Sequence, residues 1–290
     1  MLLNPHYKTL CAPNLVYRST LDVAAPGDWD EAAPLANLQV PQFSVFARSD
    51  GLDDVNILGV IDRTRRVGAI ALSQHNMTTA AQWRVRLYSD DAHAEEVYDS
   101  GLIDVWPAIY SSLDLAWTDP NFWSGKMLEE DRALYPSKSV HICAGGNIFA
   151  RSFRIDIVDD DNADGAIDLG GLLLAEAWQP GWNASFGDSR GLIVNTRVAR
   201  AGGGTKYYDV QQAEREVAFD YAHLSESEKN RMNRLRVELG IHGELLYLPN
   251  LLPGVTQYLE GFVGTFKQVD AITHPYLNNY ATSVAIVEKI

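Results

Sequence analysis

Two stretches of the chain alternate apolar and polar residues strictly. Gln82 to Tyr88 puts Trp83, Val85 and Leu87 on one face and Arg84 and Arg86 on the other. Ser152 to Val158 repeats the device, with Phe153, Ile155 and Ile157 against Arg154 and Asp156. A period of two over that length predicts half-buried antiparallel strands. Gln42 to Ala47 predicts another, broken at Phe46, and Val67 to Leu72 is a short apolar run. Further strands are expected at Gly243 to Leu248, Gln257 to Phe266 and Tyr280 to Val287, with Asp270 to Asn279 connecting the last two. One helix is well marked: Ser225-Glu-Ser-Glu228 is a capping box, Arg231 to Leu239 follows, and Gly240 is the stop. Leu224, Met232, Leu235 and Leu239 should be buried there, with the basic residues between them facing water. A shorter helix is expected from Ser124 to Ala133.

Turn-rich connections separate these segments, and the glycine-rich stretch around Gly202-Gly-Gly204 marks the best boundary. The pattern predicts a mainly β protein: a sandwich over residues 1–200, then a smaller α+β domain of strand–helix–strand type over 201–290.

Composition narrows the partners. The chain has 290 residues, 24 basic and 38 acidic side chains, and a formal net charge of −14. Such a balance argues against nucleic acid and against anionic lipid, whose phosphates it repels. No run approaches the roughly 18 apolar residues that span a bilayer, and Met1 to Leu10 shows no basic-then-apolar leader. Cys11 and Cys143 lack metal or redox spacing and are expected as reduced thiols of a protein folded in a cytoplasm.

The sharpest local feature is Asp159-Asp-Asp-Asn-Ala-Asp-Gly165. Asp160, Asn162, Asp164 and Asp168 follow the alternate-oxygen order of a calcium loop, but its twelfth position is Gly171 instead of a bidentate glutamate. The alternative is an acidic hairpin between flanking strands, with Asn, Asp and Gly chosen for turn conformations. Trp178 and Trp182, in Trp-Gln-Pro-Gly-Trp-Asn, are candidates for a carbohydrate platform, and Trp117 and Trp123 form a second aromatic cluster. Of His6, His75, His93, His141, His223, His242 and His274, none pairs at i, i+4. Gly202-Gly-Gly-Thr-Lys206 lacks phosphate-loop spacing. No catalytic constellation stands out, so no enzyme is expected and no cofactor beyond that candidate calcium.

Several stretches taken in order carry a resemblance: Trp29 with Pro34-Leu-Ala-Asn-Leu38, then Val67 to Thr78 running into Trp83 to Asp90, then Ala150 to Ile157 and Asp161 to Gly170. Together they resemble the galactose-binding-like jelly roll, over roughly residues 15 to 185. The His75-Asn-x-Thr78 loop beside an Arg-bearing strand, with the later Arg-Ser-x-Arg-Ile strand, is similar to distal-tail or tail-tip proteins of long-tailed bacteriophages. That resemblance implies a non-enzymatic structural component of a tail tip or baseplate. It would be assembled in the host cytoplasm into the virion tail as a ring or trimer, a homo-oligomer. Partners would be tail-tube, hub and receptor-binding proteins, with no nucleic acid or membrane. Arms such as Met1 to Leu21 and Asp114 to Tyr135 would contact neighbouring subunits, through Trp117, Phe122 and Trp123. The alternative is a carbohydrate-binding module for host-surface glycans, using Trp178 or Trp182.

Overall fold

The computed structural model describes residues 3–13, 29–40, 42, 44–132, 136–252 and 254–290. The chain forms two compact units, Met1–Trp178 with Leu248–Gly261, and Gln179–Tyr247 with Phe262–Ile290. The boundary expected after residue 200 therefore falls inside the second unit.

The first unit contains β1 (Thr9–Pro13), β2 (Ala47–Arg48), β3 (Asn56–Val67), β4 (Ala69–His75), β5 (Gln82–Tyr88), β6 (Glu96–Asp104), β7 (Lys138–Ile142), β8 (Ile148–Val158) and β9 (Asp168–Trp178). It also holds a 3-10 helix at Leu35–Gln39, the short α-helix α1 (Glu129–Arg132) and, from the returning segment, a helix at Val255–Glu260. β9 lies centrally in one antiparallel sheet, with β4 and then β7 to one side and β1 and β2 pairing along it. The second sheet runs β3-β8-β5-β6. This is the expected mainly β, jelly-roll-like sandwich.

The alternation of β5 and β8 is realised in full. Trp83, Val85, Leu87, Phe153, Ile155 and Ile157 all sit in one core cluster with Ile70, Leu72 and Leu174. Each such side chain contributes about 1.5–3 kcal/mol on burial. Their polar neighbours face outward and pair: Arg84 with Asp99, and Arg86 and Arg154 both with Asp156.

Three expectations for this unit are corrected. The run Val67 to Leu72 is no single strand, because Gly68 separates β3 in one sheet from β4 in the other. Gly68 donates its N–H to the Ala175 carbonyl at 2.8 Å, and a Cβ there would come within 2.2 Å of Asn147 Oδ1. Gln42 to Ala47 is mostly turn, closed by Val45 N–H to the Gln42 carbonyl, and only Ala47–Arg48 pairs as strand; Phe43 lies outside the described residues. The short helix of Ser124 to Ala133 contracts to α1, with residues 133–135 outside the described ones. Much of the Met1 to Leu21 arm also lies outside them.

The second unit adds β10 (Ser189–Ile193), β11 (Arg197–Arg200), β12 (Lys206–Asp209), β13 (Glu214–Leu224), α2 (Glu226–Leu239), β14 (Glu244–Leu248), β15 (Phe262–Gln268), β16 (Thr273–Tyr276) and β17 (Asn279–Glu288). The helix at Val255–Glu260 is α3 in chain order. The main sheet runs β10-β13-β17-β15-β14, with β16 against β17, while β11 and β12 form a separate ribbon. The expected strand–helix–strand is β13–α2–β14. The core stacks Phe219 on Tyr247 at 5.6 Å, and Tyr247 meets Phe262 at 5.7 Å.

The capping box forms as expected. Ser225 Oγ accepts from Glu228 N–H, and Glu228 accepts the Ser225 N–H at 2.7 Å. Arg236 departs from expectation. It is 8% exposed and donates to the carbonyls of Asp270 and Ser283 and to the Thr282 hydroxyl. The rule that cations face water yields where carbonyls meet the guanidinium.

The stretch Gln257 to Phe266 is also corrected. α3 occupies its first part, and β15 begins only after Gly261. Val255, Tyr258 and Leu259 fall at i, i+3 and i+4, so a helix turns them together onto the first unit's core. Tyr258 packs on Trp106 at 5.7 Å, and the Lys138 ammonium donates to its carbonyl and lies 4.6 Å over its ring. The glycines around 202 are the tip of the β11–β12 ribbon and not an interdomain linker; Gly204 there has φ +88°.

Candidate functional site

The acidic turn after β8 is a hydrogen-bonded clasp. Asp159 is buried and accepts the Thr78 N–H at 2.9 Å and the Thr78 hydroxyl. Asn162 donates to Asp159 at 3.1 Å and accepts the Asp164 N–H at 3.0 Å. Asn76 donates to Asp164 and accepts the Asp168 N–H, while Asp168 pairs with Arg48 through two bonds of 2.7 and 2.6 Å. Of the candidate calcium ligands, Asn162, Asp164 and Asp168 are thus engaged by protein donors, and Asp160 is exposed. Among the described residues no three Asp, Glu, His or Cys side chains gather to hold a metal. The residues fit a turn that joins the 75–79 loop to β9.

His75 stands at the head of that loop but is closed in. Its Nε2 bonds Ser139 Oγ at 2.9 Å, its ring meets Trp106 edge-on at 5.4 Å, and Nδ1 has no hydrogen-bond partner among the described residues. Burial, helped by the Arg132 charge, lowers its pKa to about 3. No carboxylate among the described residues bonds the ring, so the contact lacks the third member of a Ser-His-Asp triad. Cys11 and Cys143 are buried free thiols, and burial pushes Cys143 up to about 12.

The expected contact loop is pinned at its base and bare at its tip. Gly125 carbonyl accepts the N–H groups of Ile109 and Tyr110, and Lys126 donates to the Thr79 carbonyl at 2.8 Å. Trp117 and Trp123 are 80% and 91% exposed, and half-buried Phe122 meets Trp123 edge-on at 5.1 Å. Leu113 is equally bare.

The two candidate platform tryptophans part company. Trp178 ends β9 and is buried, 9% exposed, so it offers no open ring face. Trp182 is 69% exposed and forms one wall of a groove of about 620 Å³ in the second unit. The other walls are Gly181, His223 and Leu224 at the end of β13, Ser225 and Glu228 at the start of α2, and Asn278 and Asn279 at the β16–β17 turn. Pattern reading did not single out His223, Glu228, Asn278 or Asn279 as lining a common groove.

Each wall is held from below. Glu228 accepts the Gly181 N–H at 2.5 Å through one oxygen and Ser225 through the other, so one carboxylate fixes both the Trp182 loop and the helix start. Ser185 N–H bonds the Asp220 carbonyl at 2.8 Å, anchoring the loop's far side. His223 lies 6.4 Å from the Trp182 ring and 3.4 Å from Asn279 Oδ1. Asn279 also donates to the Ala222 carbonyl at 3.2 Å. Asn278 takes φ +56°, a left-handed turn position that asparagine tolerates. Burial works to raise the Glu228 pKa, but its backbone and hydroxyl donors outweigh it and hold the carboxyl below its ordinary value. The result is an open apolar ring beside amide, imidazole and hydroxyl groups, a combination suited to a small polar ligand with an apolar face.

No protein-family model matches the chain, and no curated protein sequence matches it. Solved structures do. The chain is similar to the lectin domain of lectinolysin complexed with Lewis B antigen, at 9% identity and TM-score 0.35, covering 55% of this chain and 96% of that one. It is similar to the family 32 CBM of C. perfringens NanJ in complex with galactose, at 11% identity and TM-score 0.36, over 58% and 99% of the two chains. A fucose binding module of Streptococcus pneumoniae matches at 11% identity and TM-score 0.34, over 57% and 96%.

Proposed function

We propose that this chain is a non-catalytic carbohydrate-binding protein that seats a sugar ring against Trp182. The observation that carries the reading is the groove itself: an exposed indole wall faced by His223, Ser225, Asn278 and Asn279. The C–H face of a pyranose fits an aromatic face, and its hydroxyls fit amide and imidazole partners. Glycoside hydrolysis needs two carboxylates flanking the bond, one of them protonated. Among the described residues Glu228 is the one carboxylate lining this groove, and its donors keep it ionised and occupied. This lining supports the reading of binding in place of turnover.

The test is a tryptophan-fluorescence titration against galactose-, fucose- and glucose-based oligosaccharides. Wild-type protein is expected to saturate with at least one class, and Trp182→Ala to lose the response while keeping its melting temperature. A flat response in the wild type, or an unchanged one in Trp182→Ala, overturns the reading.

A second reading, a structural part of a bacteriophage tail tip or baseplate, is favoured by Leu113, Trp117 and Trp123, which stand bare on a firmly anchored loop. Exposed aromatics in one place mark surfaces that partners cover. Mass spectrometry of density-purified particles from the source culture decides it: fixed copies beside a capsid protein support it, and absence from particles removes it.

A further inference from the structure

Every residue from 197 to 212 is exposed, so no side chain of the β11–β12 ribbon is buried in its unit. Its strands pair only with each other, Arg197 opposite Asp209, Val198 opposite Tyr208, Ala199 opposite Tyr207 and Arg200 opposite Lys206. A lone two-stranded ribbon is marginal in water, and this one leaves Val198, Tyr207 and Tyr208 more than half exposed. Strand alternation sorts its side chains. One face carries the Val198–Tyr208 pair and, nearer the tip, the Arg200–Lys206 pair.

That second pair sets two cations directly across from each other, which costs stability unless an anion comes between them. No carboxylate among the described residues pairs with Arg197, Arg200 or Lys206. The ribbon holds these three cations and a single acid, Asp209, in a chain whose net charge is −14. An apolar patch ending in a bare cation pair is complementary to an acidic protein surface, and the remainder of this chain carries 37 acidic side chains (38 − 1) against 21 basic ones (24 − 3).

We propose that the β11–β12 ribbon is a docking arm that seats Val198, Tyr208, Arg200 and Lys206 on an acidic face of a second copy of this chain. The partner's carboxylates relieve the Arg200–Lys206 repulsion, and its surface covers the Val198–Tyr208 pair. This inference is independent of the Trp182 groove, which lies outside the ribbon.

Sedimentation velocity of the full chain tests it. Association is expected at about 0.05 M salt and should weaken at about 1 M, where the Debye length shrinks to roughly 3 Å. Arg200→Glu with Lys206→Glu should weaken association about tenfold or more, and Val198→Ser with Tyr208→Ser should weaken it at both salt concentrations. Circular dichroism should stay unchanged in both variants, because the ribbon pairs with no other strand. A chain that is monomeric at low salt, or associates equally well with both variants, overturns the proposal. So does a monomeric chain whose arm retains heparin or nucleic acid, which would make the arm a polyanion site instead.

Discussion

Thr78 gives both its backbone N–H and its hydroxyl to one carboxylate, that of Asp159, which lies 81 residues further along the chain. The pair closes the 75–79 loop onto the turn after β8, and Asn162 adds a third donor. Asp159→Ala would strand the N–H and hydroxyl of half-buried Thr78. A hydrogen bond to a charged group is worth about 1.5–3 kcal/mol, and water replaces part of that at half-buried Thr78, so a total loss of about 2–4 kcal/mol is expected in urea unfolding. Asp160→Ala, at an exposed position of the same turn, should change stability by less than about 0.5 kcal/mol.

Trp178 and Trp182 are four positions apart in sequence and opposite in consequence. Trp178→Ala removes a buried ring and should cost about 3–5 kcal/mol. Trp182→Ala removes an exposed one and should leave thermal unfolding within about 0.5 kcal/mol of wild type. Calorimetry of the two variants side by side separates core from platform.

Gly68 is required by close approach. Its neighbours are Asn147 Oδ1 at 2.2 Å and the Ala177 backbone N at 3.1 Å from where a Cβ would stand. Asn147 cannot easily withdraw, since it brackets Ala177 with two bonds of 2.9 Å. Gly68→Ala should therefore destabilise by about 1–3 kcal/mol, read as a lower denaturation midpoint.

Acid should weaken the first unit before its carboxylates protonate. Burial lowers His75 to about 3 and His141 to about 4, from the ordinary 6.5. Below about 6.5 the unfolded chain takes up protons that the folded chain refuses, so stability is complete above that pH and falls as pH drops toward 4. The slope reaches about 1.4 kcal/mol per pH unit for each histidine. Asp99, held near 2 chiefly by Arg84, acts below that window. His141→Gln should flatten the fall between pH 6.5 and 4 in denaturation midpoints taken across that range.

Strands β5 and β8 and helix α2 were legible because their signals are local: strict alternation in the first two, a capping box and a stop glycine in the third. β3 and β4 were not, because a single glycine divides an apolar run that pattern alone reads as continuous. α3 was hidden by a short length at which helical and strand periodicities overlap. Arg236 could not be foreseen as buried, since its acceptors come from residues 34 to 47 positions away. The groove shows the same limit. Trp182 was visible as an aromatic, but His223 and Asn279 are 56 residues apart and meet only through the pairing of β13 with β17.

The return of Leu248–Gly261 to the first unit has a consequence for biogenesis. When residue 178 leaves the ribosome, both sheets of that unit have all their strands, yet Trp106 and Lys138 still lack the Tyr258 that packs on one and bonds the other. Residues 179–247 must be synthesised before the missing piece arrives. The earlier half of the protein is finished by the later half, so a polypeptide cut short at the apparent end of the sandwich would leave translation with its core unsealed.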